Sequence, residues 1–347
     1  MVNLPPETSE KWLTLAAQKS ESMKKIVVFV MLSLTCAGAF GQRMGVVNLS
    51  ANFMRSAADY EAGLETQALM GSVVEILDQD GYWLKIRTSE PAYTAWTNEM
   101  GIVEMDEAQL RVYMEAPKYI CTADISKVYC EPSEGSERVS DLVLCDILRV
   151  WIEDGKAVKK KQFLGVVLPS GKTGYVHKGD VEDFARWAKE ASATPDNIVS
   201  TALRFVGVPY MWGGASPKNL DCSGLSRTVF LANGVLLPRN SSQQVKMGEE
   251  VDVSGVPEGD FSALQEGDLL FFGNVETRRV THVAIYIGDG RIVHASQVVR
   301  VNSLREGDGD YYSGSKRLLT ARRVCGQEDK GTGIISIGSS PFYFSKE

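Results

Sequence analysis

Apolar and polar residues alternate over most of the first half of the chain. VVNLSANFMRSAA, GSVVEILDQDGYWLKIRT and YTAWTNEMGIVEM each read as short strands separated by Gly/Asp turns. SKVYCEPS, SDLVLCDILRVWIED and GKTGYVHKGDVEDF repeat the plan further on. Both blocks close on a comparable strand, Tyr93-Thr94-Ala95-Trp96 in one and Gly174-Tyr175-Val176-His177 in the other, which points to an internal repeat. The period then changes. VEDFARWAKEAS predicts an amphipathic helix leading out of the second block. A further helix is predicted after Cys222, where Leu225, Val229, Phe230 and Val235 recur at helical spacing and Gly234 is a terminator. Beyond it VTHVAIYIG alternates again, Gly288, Asp289 and Gly290 supply a turn, and RIVHAS begins the next strand. A hairpin with His282 and His294 on neighbouring strands is expected. The tail GTGIISIGSSPFYFSKE reads as either a flexible end or an added strand.

Composition narrows the classes. With 347 residues and 44% hydrophobic content, the chain suits two or three globular domains with a sizeable core. A formal net charge of −7 lacks the basic footprint of a nucleic-acid binder, so no nucleic-acid partner is expected. Near the N-terminus, Met23-Lys24-Lys25, the apolar run Ile26 to Leu34 and the small residues through Ala39-Phe40-Gly41-Gln42 have the three regions of a secretory signal. Residues 1–22 lack that character, so translation is expected to start at Met23, with the signal at 23–41. The protein is then exported, periplasmic or secreted. No stretch approaches the roughly 20 apolar residues of a membrane span. A lipoprotein anchor at Cys36 is disfavoured because Leu34 sits one place too late for a lipobox.

With Cys36 removed, five cysteines remain, an odd number that leaves at least one free thiol in an oxidising compartment. Cys121, Cys130 and Cys145 leave room for one disulfide, its pairing open, and Cys325 reads as an ordinary buried residue. With few histidines and no Cys-x-x-Cys pair, neither a metal site nor a cofactor is expected.

The chain has three histidines. His177, in the last strand of the second block, reads as structural. The other two follow Asp221-Cys222-Ser223-Gly224, giving a thiol, a base and an orienting group in one chain order. An imidazole shifts a thiol toward thiolate, and a second polar group holds that imidazole in one tautomer. Cys222 is expected at or just before a helix N-terminus, where unpaired N–H groups favour a thiolate and donate to an oxyanion.

From about Pro195 to Cys325 the chain resembles the NlpC-type cell-wall cysteine peptidases. VPYMWGG, DCSG, LPRNSSQQ, EGDLLFF, THVAIYIG and VHAS occur in that family's order. The resemblance implies an α+β papain-like peptidase domain with Cys222 as nucleophile, His282 as general base and His294 as orienting residue. It further implies peptidoglycan stem peptides as substrate. The two all-β blocks resemble small bacterial SH3-like barrels. The expected organisation is barrel 1 at 43–115, barrel 2 at 116–183, the peptidase domain at 184–330 and a tail at 331–347.

Members with two such barrels and the YMWGG element resemble γ-D-glutamyl-L-diamino acid endopeptidases of the dipeptidyl-peptidase VI type, which act on stem peptides with a free N-terminal L-alanine. That implies Tyr210 and Trp212 as cleft walls, Asp221 as partner of the substrate amine, Ser223 and Ser241 as contacts to D-glutamate, and Tyr93 as a cap over the amine. Asp221 also reads as a helix N-cap, Tyr210 and Trp212 as core aromatics, and Ser241 as a capping serine. Where a second acid is expected in the first barrel, the chain has Gly63-Leu64-Glu65, so Glu61 or Glu65 would have to substitute. The first barrel either closes one end of the cleft or merely delivers the enzyme to the wall. Competing readings are a less selective D-glutamyl hydrolase on intact peptidoglycan, a non-catalytic wall-binding protein, and an acyltransferase on the same core.

Overall fold

Val47, Met54, Val74, Ile86 and Ala95 come from alternating positions of successive strands and close one small core, which is why the first block folds as a β unit. The computed structural model describes residues 42–89 and 92–344. The predicted secretory segment, with Cys36, lies outside the described residues. Seven antiparallel strands form the first barrel, in the spatial order Leu64–Leu69, Ala51–Arg55, Thr94–Asn98, Trp83–Thr88, Val73–Asp80, Met44–Val47, Ile102–Met105. Helix Glu107–Glu115 follows, capped by Asp106 and Gln109 in a reciprocal box.

The second SH3-like barrel runs Arg138–Val143, Ile125–Tyr129, Thr173–His177, Phe163–Val167, Ile147–Val150, Lys118–Cys121, Val181–Asp183 in spatial order. Asp146 staples it to the first: its carboxylate accepts from the backbone N–H of Met70 at 2.9 Å and of Val143 at 2.8 Å. Met70 itself packs in the second core with Leu142, Leu148 and Val176. His177 accepts from the Gly179 N–H at 3.2 Å and packs edge-on against Phe163, a structural role as expected.

Two expectations need correction here. Val181–Asp183 is a strand paired with Lys118–Cys121, so the connecting helix is shorter than its sequence pattern and spans Phe184–Glu190. Asp183 caps that helix through the Arg186 N–H, which fixes the boundary. The second correction concerns cysteine: Cys121, Cys130, Cys145, Cys222 and Cys325 are all free. Cys121 and Cys145 are buried in separate apolar surroundings and Cys130 is exposed, so the disulfide left open by their proximity in sequence does not form.

The third unit is a six-stranded antiparallel sheet in the order Glu249–Val251, Leu318–Arg323, Leu269–Gly273, Val280–Tyr286, Arg291–Ser296, Val298–Ser303. Helices Pro195–Arg204 and Cys222–Ala232 pack on one face of it, burying Ile198, Leu225, Val229 and Phe230 against Phe271, Val283, Ile285 and Val293. This is the expected papain-like arrangement of a cysteine helix against a histidine sheet. Gly234 ends the cysteine helix with φ +80°. In the tail, Ile335–Ser336 pairs with Val235–Leu236 as an added strand. Among the described residues no helix is long and apolar enough to cross a membrane.

The first barrel is docked on the peptidase unit through its strand Leu64–Leu69. Gln67 accepts from the Ala215 N–H at 2.8 Å and donates to Asn219 at 3.2 Å, and Thr66 accepts from Arg239 Nε at 2.9 Å. Gly213, at φ +80°, lies so close to this strand that a Cβ there would sit 2.7 Å from Leu64. Only glycine suits that combination.

Candidate active site

Cys222 is the first residue of its helix. Asp221 is the N-cap, and its Oδ1 accepts from the Gly224 N–H at 2.7 Å. The thiol is inside the protein, and burial, then the Asp221 charge, push it up to about 11. Hydrogen bonds from the backbone of Val283 and Ser223 and the nearby Arg239 charge oppose that shift. The Val283 N–H facing the sulfur puts Cys222 beside the residue that precedes Val283, which is His282.

The histidine hairpin has the expected geometry. Ile285 pairs with Val293 and Tyr286 with Ile292, so His282 and His294, each an odd number of places from one of those partners, share the opposite face. Their rings meet through His282 Nε2 and His294 Nδ1 at 2.9 Å. His294 is fully buried, and its Nε2 lies 2.9 Å from Asn302 Oδ1. Burial holds His282 down to about 3, with the His294 and Arg317 charges adding to it. His294 is also lowered by burial, while its hydrogen bond to Asn302 works against the shift. Both rings are thus neutral at neutral pH. Tyr312 packs over the pair, its ring centre 4.7 Å from that of His294 and 5.9 Å from that of His282.

Around the thiol the expected contacts sort themselves. Tyr210 lies beside it: burial first, then the Cys222 and Asp221 charges, raise its hydroxyl to about 12, so it stays a donor. Trp212 is 70% exposed, a rim position rather than a core one. Asp221 and Ser223 are buried and tied into one network with Arg239. Arg239 donates from Nη1 to Asp221 Oδ1 and to Ser223 Oγ, both at 3.0 Å, and from Nη2 to Asp221 Oδ2. The Gly213 N–H also donates to Oδ2, at 2.9 Å. Ser241 opens the short helix Ser241–Gln244, whose cap is Asn240, so the reading of Ser241 as the cap is corrected.

Tyr93 reaches the same region from the first barrel. Its hydroxyl donates to Glu65 Oε2 at 2.7 Å, and burial together with Glu65 raises it to about 12. Asn240 and Arg239 are its neighbours on the peptidase side. Of the two candidate acids, Glu65 is half-buried on the docked strand and meets Tyr93, while Glu61 is exposed on the preceding turn. Arg239 and Asn302 carried no expectation. Arg239 stands in the LPRNSS run as an isolated charge between apolar and polar residues, and Asn302 lies eight places from His294 across a tight turn. Neither spacing identifies its partner.

A model of the NlpC/P60 family matches residues 207–321, and a model described as the bacterial dipeptidyl-peptidase Sh3 domain matches residues 54–100. The chain is 30% identical to dipeptidyl-peptidase 6 of Lysinibacillus sphaericus over 80% of its own length and 97% of that protein's. It is 29% identical to the gamma-D-glutamyl-L-lysine dipeptidyl-peptidase of Bacillus cereus over 74% of its own length and 75% of that protein's. A crystal structure of an NlpC/P60 family protein from Bacillus cereus superposes with a TM-score of 0.66 at 25% identity, covering 81% of this chain and 99% of that one.

Proposed function

The chain belongs to the NlpC/P60 family, and from that membership we propose that it is a cysteine endopeptidase cutting the γ-D-glutamyl bond to the diamino acid in peptidoglycan stem peptides with a free N-terminal L-alanine. The observation that carries this reading is the Tyr93–Glu65 pair, which the first barrel brings to the cleft beside Arg239 and Asn240. A buried ammonium without a counter-charge costs several kcal/mol, so a carboxylate at that end of the cleft makes a free amine a condition of binding. Glu65 is the principal partner of the amine and Tyr93 its cap. Asp221, already engaged by Arg239, contributes through that pair. Ser223 and Ser241 line the D-glutamate side, with Tyr210 and Trp212 as walls.

Cys222 Sγ attacks the γ-carbonyl carbon of D-glutamate while His282 takes the thiol proton. A neutral thiol facing a neutral imidazole is the resting state that the raised thiol and lowered His282 values describe. The Cys222 N–H, unpaired at the helix start, donates to the oxyanion. His282 then protonates the leaving amine, and afterwards acts as base toward the water that hydrolyses the thioester. His294 holds His282 in place throughout.

The domain boundaries are proposed at residue 116, after helix Glu107–Glu115, and at residue 184, where strand Val181–Asp183 passes into helix Phe184–Glu190, and export as a periplasmic or secreted protein accords with a substrate in the cell wall. The test is mass-spectrometric assignment of products from L-Ala-γ-D-Glu-L-Lys and from its diaminopimelate counterpart, with Cys222→Ala as blank. Release of L-Ala-γ-D-Glu supports the reading, and Cys222-independent or absent cleavage opposes it.

A further inference from the structure

We propose that Asn302 is a positioning residue that fixes the tautomers of His294 and His282, and so decides which nitrogen of His282 can take the Cys222 proton. The inference rests on the thiol-hydrolase reading of the site and extends it beyond the three residues named so far. Its starting point is an amide whose orientation is determined by its surroundings. Asn302 Nδ2 lies 2.5 Å from the Asp310 carbonyl oxygen, which also accepts from the Ser303 N–H. A carbonyl oxygen only accepts, so the amide nitrogen must face it; the flipped amide would set two oxygens against each other. Oδ1 is then left for His294.

Proton positions follow in sequence from that acceptor. Oδ1 at 2.9 Å requires His294 Nε2 to carry a hydrogen. In a neutral ring Nδ1 is then a bare acceptor, and it lies 2.9 Å from His282 Nε2, which must in turn carry its own hydrogen. His282 is left with Nδ1 unprotonated, the form that accepts a proton from a thiol. With the opposite tautomer of His294, Nδ1–H would donate to His282 Nε2 and place the remaining proton on Nδ1, where it blocks the transfer. Among the described residues no other side chain supplies the acceptor. Arg300 and Arg317 approach the pair only as charges, and the Tyr312 ring packs edge-on against His294 and tilted over His282.

The experiment is nitrogen NMR of histidine-labelled, ligand-free protein at neutral pH, alongside steady-state cleavage by wild type, Asn302→Leu and Asn302→Asp. In the wild type both His294 and His282 are expected protonated at Nε2 and bare at Nδ1. Asn302→Leu keeps the size without the acceptor; mixed tautomers and a fall in kcat of about 100-fold with little change in KM are expected. Asn302→Asp keeps an acceptor oxygen for His294 Nε2 but loses the donor to the Asp310 carbonyl, so wild-type tautomers are expected with kcat only partly recovered. Nδ1–H on His294 in the wild type overturns the proposal, as does an Asn302→Leu protein with unaltered tautomers. If Asn302→Leu fails to fold, the wild-type and Asn302→Asp spectra still decide. The spectra need no substrate, so a protein with the expected tautomers that cleaves no stem peptide refutes the proposed function and leaves this inference standing.

Discussion

Arg239 and Asp221 form an ion pair that is almost wholly buried, their side chains 3% and 8% exposed, at the residue immediately before Cys222. Asp221 thus caps the cysteine helix and pairs with the Arg239 guanidinium, while Arg239 donates from Nε to Thr66 of the first barrel. One pair joins helix start, cleft and barrel.

Removing one member of that pair leaves the other buried without its counter-charge. Arg239→Met is expected to lower unfolding free energy by about 3 kcal/mol, measured by urea denaturation. The double variant Arg239→Met, Asp221→Asn is expected to recover part of the loss, because it removes the orphaned charge. A double variant less stable than either single one contradicts the pairing.

Glu65→Gln keeps the hydrogen-bond acceptor for Tyr93 and removes the charge meant for the substrate amine. KM for a free-amine stem peptide is expected to rise about tenfold, or roughly 1.4 kcal/mol, with kcat little changed. Tyr93→Phe is expected to act in the same direction and more weakly. Titration of initial rates against substrate separates the two constants.

The buried histidines make the fold acid-sensitive. The folded value of His282 is depressed to about 3 from an unfolded value near 6.5, mainly by burial. Between those limits the unfolded chain binds a proton that the folded chain does not, so stability rises with pH through the window and is lost as pH falls. His294 is shifted in the same direction. Melting temperature is expected to drop steadily between pH 6.5 and 4, and His282→Gln is expected to flatten that slope, with each fully shifted site worth up to about 1.4 kcal/mol per pH unit.

Gly213→Ala places a Cβ against Leu64 at a backbone φ of +80°. The strand Leu64–Leu69 must then move off the cleft. A rise in KM together with faster proteolysis between the first barrel and the peptidase unit is the expected result, and an unchanged KM argues that the docking contact has no part in binding.

The placement of Cys222 at a helix start and of His282 and His294 on one sheet face was legible because those signals are local. An amphipathic run that begins at the cysteine predicts a helix start, and alternation through VTHVAIYIG and RIVHAS puts both rings on one sheet face. The docking of the first barrel beside the cysteine helix was legible only in outline. Thr66 and Arg239 stand 173 residues apart, and nothing in either segment announces that strand Leu64–Leu69 docks beside LPRNSS. Glu65 looked displaced in sequence because its contact with Tyr93, 28 residues on, is made across the strands of the first barrel itself. The strand Val181–Asp183 was read as helix because a pairing partner sixty residues earlier is invisible to local periodicity.

Comparison of L-Ala-γ-D-Glu-diaminopimelate with its N-acetylated form tests the central claim most directly, with Cys222→Ala as blank. A cleft closed by Glu65 and Tyr93 predicts Cys222-dependent cleavage of the free-amine peptide, releasing L-Ala-γ-D-Glu, and little or none of the acetylated one. Equal cleavage of both contradicts the amine pocket and leaves a hydrolase that does not read the N-terminus of its substrate.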